Sequence, residues 1–109
     1  MKERKRLTKE QKKLEARKYR LMHCYGLTLE DYDKMLKDQD YRCAICRRSQ
    51  SLFKYILHVD HNHSTGKVRG LLCAGCNPRI EWLIRHPLYI RMLVYIEKTG
   101  SSPINLKIL

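Results

Sequence analysis

The stretch that runs from Cys43-Ala44-Ile45-Cys46 through Asp60-His61-Asn62-His63 to Cys73-Ala74-Gly75-Cys76-Asn77 decides the fold. Two Cys-x-x-Cys pairs supply four thiolates, the ligand set of a structural zinc site, which is tetrahedral and leaves no position open for substrate. Zinc on Cys43, Cys46, Cys73 and Cys76 is therefore expected to hold the fold and to take no part in chemistry. The residues between and after the cysteines are of another kind. A hard carboxylate and an amide oxygen suit magnesium or manganese, and an imidazole moves a proton near neutral pH. Two metal sites with two separate jobs are implied.

Working outward, the chain has 109 residues, enough for one small domain with an appended helix. A core of that size buries little apolar surface, and a metal or a set of disulfides usually supplies what is missing. Five cysteines are present. That odd number, with no basic start followed by an apolar run at the N-terminus, favours zinc over a secreted disulfide scaffold. No run approaches the roughly 18 apolar residues needed to cross a bilayer. An intracellular, cytoplasmic protein is expected.

Net charge is +12, and residues 1–20 carry ten Lys/Arg against Glu3, Glu10 and Glu15. A basic leader of this kind attracts a polyanion through phosphate neutralisation and counterion release. With few large apolar residues it is a poor membrane helix. Arg4, Lys5, Arg6, Lys12 and Lys13 are the candidate nucleic-acid contacts there.

Thr8 and Gln11 form a capping-box signature, which predicts a basic helix over Lys9–His23 ended by Gly26. Thr28 opens a second helix with Glu30 and Asp31 in its first turn, and Tyr32 and Met35 read as core. Tyr55 to Val59 has strand composition, with Asp60 at its end. Ser64-Thr65-Gly66 is a turn, and Val68 to Leu72 returns as the second strand of a hairpin. Asn77-Pro78 reads as a helix start with Asn as cap, running to about Arg85, and a last helix runs from about Leu88 to Lys98. The expected organisation is a nucleic-acid-contacting helix over 1–26, a zinc-bound domain over 27–99 and a tail over 100–109. Cys24 reads as a small buried residue, His58 as partly buried, and His23 and His86 as surface residues.

The run His58-Val59-Asp60-His61-Asn62-His63, then Thr65-Gly66-Lys67-Val68-Arg69-Gly70-Leu71-Leu72-Cys73, then Cys76-Asn77, framed by Cys43 and Cys46, resembles the recombination endonuclease VII family of phage-type HNH nucleases. The resemblance spans residues 41–77. It implies a small zinc-stabilised α+β fold with a ββα-metal (HNH, or His-Me finger) core, flanking helices and the basic N-terminal helix. By the same resemblance, Asp60 and the side-chain oxygen of Asn77 hold one magnesium or manganese ion on the scissile phosphate. His61 is the general base, and the products carry a 5′ phosphate and a 3′ hydroxyl. His63, two residues on, is a candidate for the leaving group, the metal or a phosphate. Lys67 and Arg69 are candidates for the DNA backbone. Pro78-Arg79-Ile80-Glu81-Trp82 departs from the family pattern and leaves Glu81 a weak extra ligand.

The expected function is hydrolysis of DNA phosphodiesters by nicking or double-strand cleavage. Double-stranded DNA is the partner, with branched forms open, and phage packaging or recombination proteins are further candidates. The rival readings are a non-catalytic zinc module that binds DNA and an RNA-directed accessory protein.

Overall fold

The computed structural model describes residues 6–100, so Arg4, Lys5 and the tail from 101 onward lie outside the described residues. The chain divides into two compact units, Met1–Ala74 and Gly75–Leu109. The first holds helices α1 (Lys9–Tyr25) and α2 (Leu29–Asp38), a 3-10 turn (Gln50–Leu52) and strands β1 (His58–His61) and β2 (Val68–Leu72). The second holds α3 (Cys76–Arg85) and α4 (Pro87–Lys98). This is a small α+β chain, and among the described residues no helix is long and apolar enough to cross a membrane.

Local chemistry explains where the first two helices begin. The Thr8 hydroxyl accepts from the Gln11 N–H at 3.2 Å while the Gln11 side chain accepts from the Thr8 N–H at 2.9 Å. Thr28 and Asp31 repeat the arrangement at 3.0 and 2.9 Å. The Thr28 N–H, which donates to the Asp31 carboxylate, and then the Thr28 hydroxyl beside it hold the Asp31 carboxyl below its ordinary value. Gly26 ends α1 at φ 67, the left-handed conformation that glycine adopts without a Cβ penalty. The helix runs two residues beyond its expected end, to Tyr25.

Leu21 from α1, Tyr32 and Leu36 from α2, and Leu57, Val59, Leu71 and Leu72 are buried together with Cys43 and Cys73. The Tyr32 hydroxyl donates to the Leu57 carbonyl at 2.6 Å, so the one polar atom of this buried ring is paired. Arg17 crosses the same ring with its guanidinium 4.7 Å from the centroid. Cys24, expected to be buried, is exposed, and so is His58. Because side chains alternate along a strand, the buried Leu57 and Val59 turn His58 to the opposite side.

Strand β1 starts later than expected. The backbone of Leu57 is satisfied by side chains, its carbonyl by Tyr32 and its N–H by Gln50 at 3.3 Å, so no strand pairing is required of it. The pairing with β2 is antiparallel: His58 opposes Leu72, Val59 opposes Leu71, Asp60 opposes Gly70 and His61 opposes Val68. Arg69 is thus an extra residue, and the strand bulges at that point.

The far side of β2 is closed at Leu71 by the Gln39 amide and by the Ala44 N–H, which donates to the Leu71 carbonyl at 3.1 Å. Gln39 accepts from the Leu71 N–H at 2.8 Å and donates to the Leu71 carbonyl at 2.9 Å, filling both positions a neighbouring strand would fill. Gly70 makes room, since a Cβ there would sit 3.3 Å from the Gln39 oxygen. Gln39→Ala leaves the buried Leu71 N–H without this acceptor and is expected to lower unfolding stability by about 1–3 kcal/mol. Urea denaturation of the zinc-loaded protein reads this directly; an unchanged midpoint would remove Gln39 from the account.

In the second unit α3 begins at Cys76, one residue before the expected cap. Gly75 already has helical angles, φ -79 and ψ -41, and no side chain caps the helix. Asn77 is therefore a residue of the first turn and not its cap. Pro78 is tolerated because N–H groups of the first turn have no intrahelical partner. At the junction of α3 and α4 the rings of Trp82 and His86 stack at 4.2 Å, with Tyr89 at 4.9 Å from Trp82. His86 is exposed, as expected of it. Along α4, Leu88, Tyr89, Ile90, Met92, Leu93, Val94 and Tyr95 are all exposed.

Candidate metal and catalytic centre

The sulfurs of Cys43, Cys46, Cys73 and Cys76 all lie within 4.8 Å of one another. Cys46 and Cys73 are 3.9 Å apart, and four sulfurs around zinc at about 2.3 Å would be spaced by about 3.8 Å. The donor set and its spacing fit zinc. Burial pushes the Cys43 thiol up, but the N–H groups of Cys73, Cys46 and Ile45 and the Cys46 thiol outweigh burial and bring it to about 6 from an ordinary 9.0. The Cys73 N–H donates to the Cys43 sulfur at 3.4 Å. A thiolate is the form that binds a metal, and these donors favour it.

Asp60, at the third position of β1, is 6% exposed. Both of its oxygens accept from Arg69, Nε to Oδ2 and Nη2 to Oδ1, each at 2.9 Å. Arg69, expected at the DNA backbone, donates here to a carboxylate on the neighbouring strand. His61, the last residue of β1, is half-buried, and its ring stacks on that of His63 at 4.5 Å with 10° between the planes. Tyr25, at the end of α1, tilts against His61 at 5.3 Å. His63 lies beyond the strand, so the loop and not strand alternation brings the two imidazoles together.

Asn62 builds that loop. Its side-chain oxygen accepts from the N–H groups of Ser64 and Thr65 at 2.8 and 3.1 Å. Its backbone N–H donates to Lys67 and its carbonyl accepts from Gly66, at 2.8 and 2.7 Å. Gly66 takes φ 76, so Ser64-Thr65-Gly66 is the turn the sequence predicts. Asn77 stands on α3, directly after Cys76. Lys67, Arg6, Lys12 and Lys13 are exposed.

Sequence reasoning missed Tyr25 and the Asp60–Arg69 pair. An aromatic just ahead of a helix-ending glycine carries no signal of its own, and the pair depends on a bulge that composition does not record.

Two cysteine pairs whose spacing fits zinc, framing a hairpin with Asp60 and His61 at the end of β1 and His63 in the loop, define the class: a small α+β protein with a candidate structural metal cluster and a polar centre at the strand end. Within that class the chain belongs to the recombination endonuclease VII family, whose model matches residues 15–98. Similar curated proteins are the Gene 59 protein of Mycobacterium phage D29, 48% identical over 61 residues, and that of Mycobacterium phage L5, 47% identical over 58 residues. These matches cover 56% and 53% of this chain but 36% and 35% of the relatives, so the chain spans little more than a third of their length. No solved structure matches.

Proposed function

We infer that this chain is a metal-dependent nuclease of the ββα-metal, or HNH, type that hydrolyses DNA phosphodiester bonds. The observation that carries the reading is the buried Asp60 carboxylate, next in sequence to a half-buried His61 held between two rings, in a chain of this family. The centre suits a cation on chemical grounds: Asp60 already accepts two bonds from a positively charged group, and carboxylate and carboxamide oxygens are hard donors. Asp60 and Asn77 are the residues that would hold magnesium or manganese. When bound, such an ion supplies charge stabilisation to the phosphate and the leaving oxygen.

The remaining work belongs to the side chains. His61 takes a proton from the attacking water at a ring nitrogen, the new oxygen–phosphorus bond forms, and the bond to the 3′ oxygen breaks as that oxygen takes up a proton from solvent water. A 5′ phosphate and a 3′ hydroxyl result. Stacking on His63 and contact with Tyr25 restrict the plane of the His61 ring, which keeps that nitrogen aimed. His63 is close enough to its neighbour to serve the phosphate or the leaving oxygen of the same bond. Zinc on the four cysteines holds the frame. The basic α1, with Arg6, Lys12 and Lys13 exposed, and Lys67 on the loop add affinity for the backbone. Phage packaging or recombination machinery within the host cytoplasm is the setting this reading suggests.

Titration of magnesium or manganese into zinc-loaded protein with supercoiled plasmid tests the reading. Nicked or linear product that requires the added ion, with ends that accept ligation after no phosphatase or kinase treatment, is expected. Intact plasmid at every concentration of either ion would leave a DNA-binding zinc module in its place.

A further inference from the structure

The bulge in β2 has a chemical result. In a regular antiparallel pair Arg69 and Gly70 would point to opposite faces, and Arg69 would turn away from Asp60. Two residues of β2 instead oppose one of β1 at this point, and such a bulge re-aims a side chain. The guanidinium is delivered to Asp60 as a planar fork, with both N–H bonds at 2.9 Å. Bidentate pairing of this kind fixes the plane of the carboxylate. The two partners are unequally buried. The Asp60 side chain is 7% exposed and that of Arg69 32%, so the guanidinium reaches the surface while the carboxylate does not.

We propose that Arg69 is a positioning residue that keeps the place of the divalent cation on Asp60 and transfers to a nucleic-acid phosphate when the cation arrives. Resting on the reading of Asp60 as a cation ligand, this assigns to Arg69 two successive partners. Without the cation, the guanidinium offsets a buried negative charge that would otherwise be costly. With it, the carboxylate has a second positive partner, and a charged fork at the surface is left to a phosphate, which has the same bidentate geometry as a carboxylate. Cation binding and backbone capture are then thermodynamically linked.

Two measurements on the zinc-loaded full chain test this. The first is Mn²⁺ binding without DNA, read by the electron paramagnetic resonance of free Mn²⁺. Arg69→Gln removes the competitor and is expected to tighten Mn²⁺ binding by about tenfold, with Arg69→Lys, a single-point cation, between it and the wild type. The second is affinity for a DNA duplex in a His61→Ala background, which binds without cutting. Adding Arg69→Gln is expected to leave affinity within about twofold when Mn²⁺ is absent and to weaken it by about tenfold when Mn²⁺ is present.

Equal or weaker Mn²⁺ binding by Arg69→Gln, or the same loss of DNA affinity with and without the ion, overturns the proposal; the second result would mark a standing phosphate contact. If Arg69→Gln does not fold, Arg69→Lys decides alone, and Mn²⁺ affinity no greater than wild type counts against the proposal. Asp60→Asn separates this from the underlying reading. Unchanged Mn²⁺ affinity in that variant removes Asp60 from the cation site, whereas a loss there combined with no gain in Arg69→Gln sinks the Arg69 assignment alone.

Discussion

His61→Ala lowers cation-dependent cleavage of plasmid DNA by about 10²- to 10⁴-fold, the contribution typical of a positioned proton acceptor. Zinc content, thermal melting and DNA affinity stay close to wild type, because His61 is half-buried at a strand end and lies outside the buried apolar group. The contrast between those readouts makes the result informative. A chain in which His61 served only packing would lose stability along with rate. Time courses of nicking for the two proteins at saturating Mg²⁺ are the measurement, and equal rates would exclude His61 as the base.

Loss of zinc has the larger structural effect. Cys43 and Cys73 are buried in the first unit among few large apolar side chains, and structural zinc binding in small domains amounts to roughly 10–16 kcal/mol of folding free energy. Cys43→Ala, or removal of zinc by a chelator that is then dialysed away, abolishes the cooperative thermal transition seen by circular dichroism. Restoring Zn²⁺ to the wild-type apoprotein recovers the transition and leaves Cys43→Ala unfolded. Mass spectrometry under native conditions reads one zinc per chain. A Cys43→Ala protein that melts cooperatively and carries no zinc would contradict the role given to the cluster.

Much of this was legible in the residues because the signals were local. Cysteine spacing announced a cluster that the sulfurs form, Thr8 and Gln11 announced a cap, and the limits of β2 and the end of α4 fall where they were expected. Signals failed where a distant side chain substituted for the backbone. Leu57 has strand composition yet takes its hydrogen bonds from Tyr32 and Gln50. Gln39 does the work of a missing strand against Leu71. Neither interaction is visible without the fold, since 25 and 32 residues separate Tyr32 from Leu57 and Gln39 from Leu71. The Asn77 cap failed for a smaller reason, a glycine already in the helical region.

The Asn62 side-chain oxygen is taken by the turn, where it accepts from Ser64 and Thr65. Asn62 works as a ruler. Six residues separate the two strands, and Asn62 closes them with four hydrogen bonds that leave no slack for a seventh. Variation that alters what the loop touches is open to this scaffold, through Ser64, Thr65 or Lys67. Variation in its residue count is not, because an added residue would part the two imidazoles before it reached anything outside.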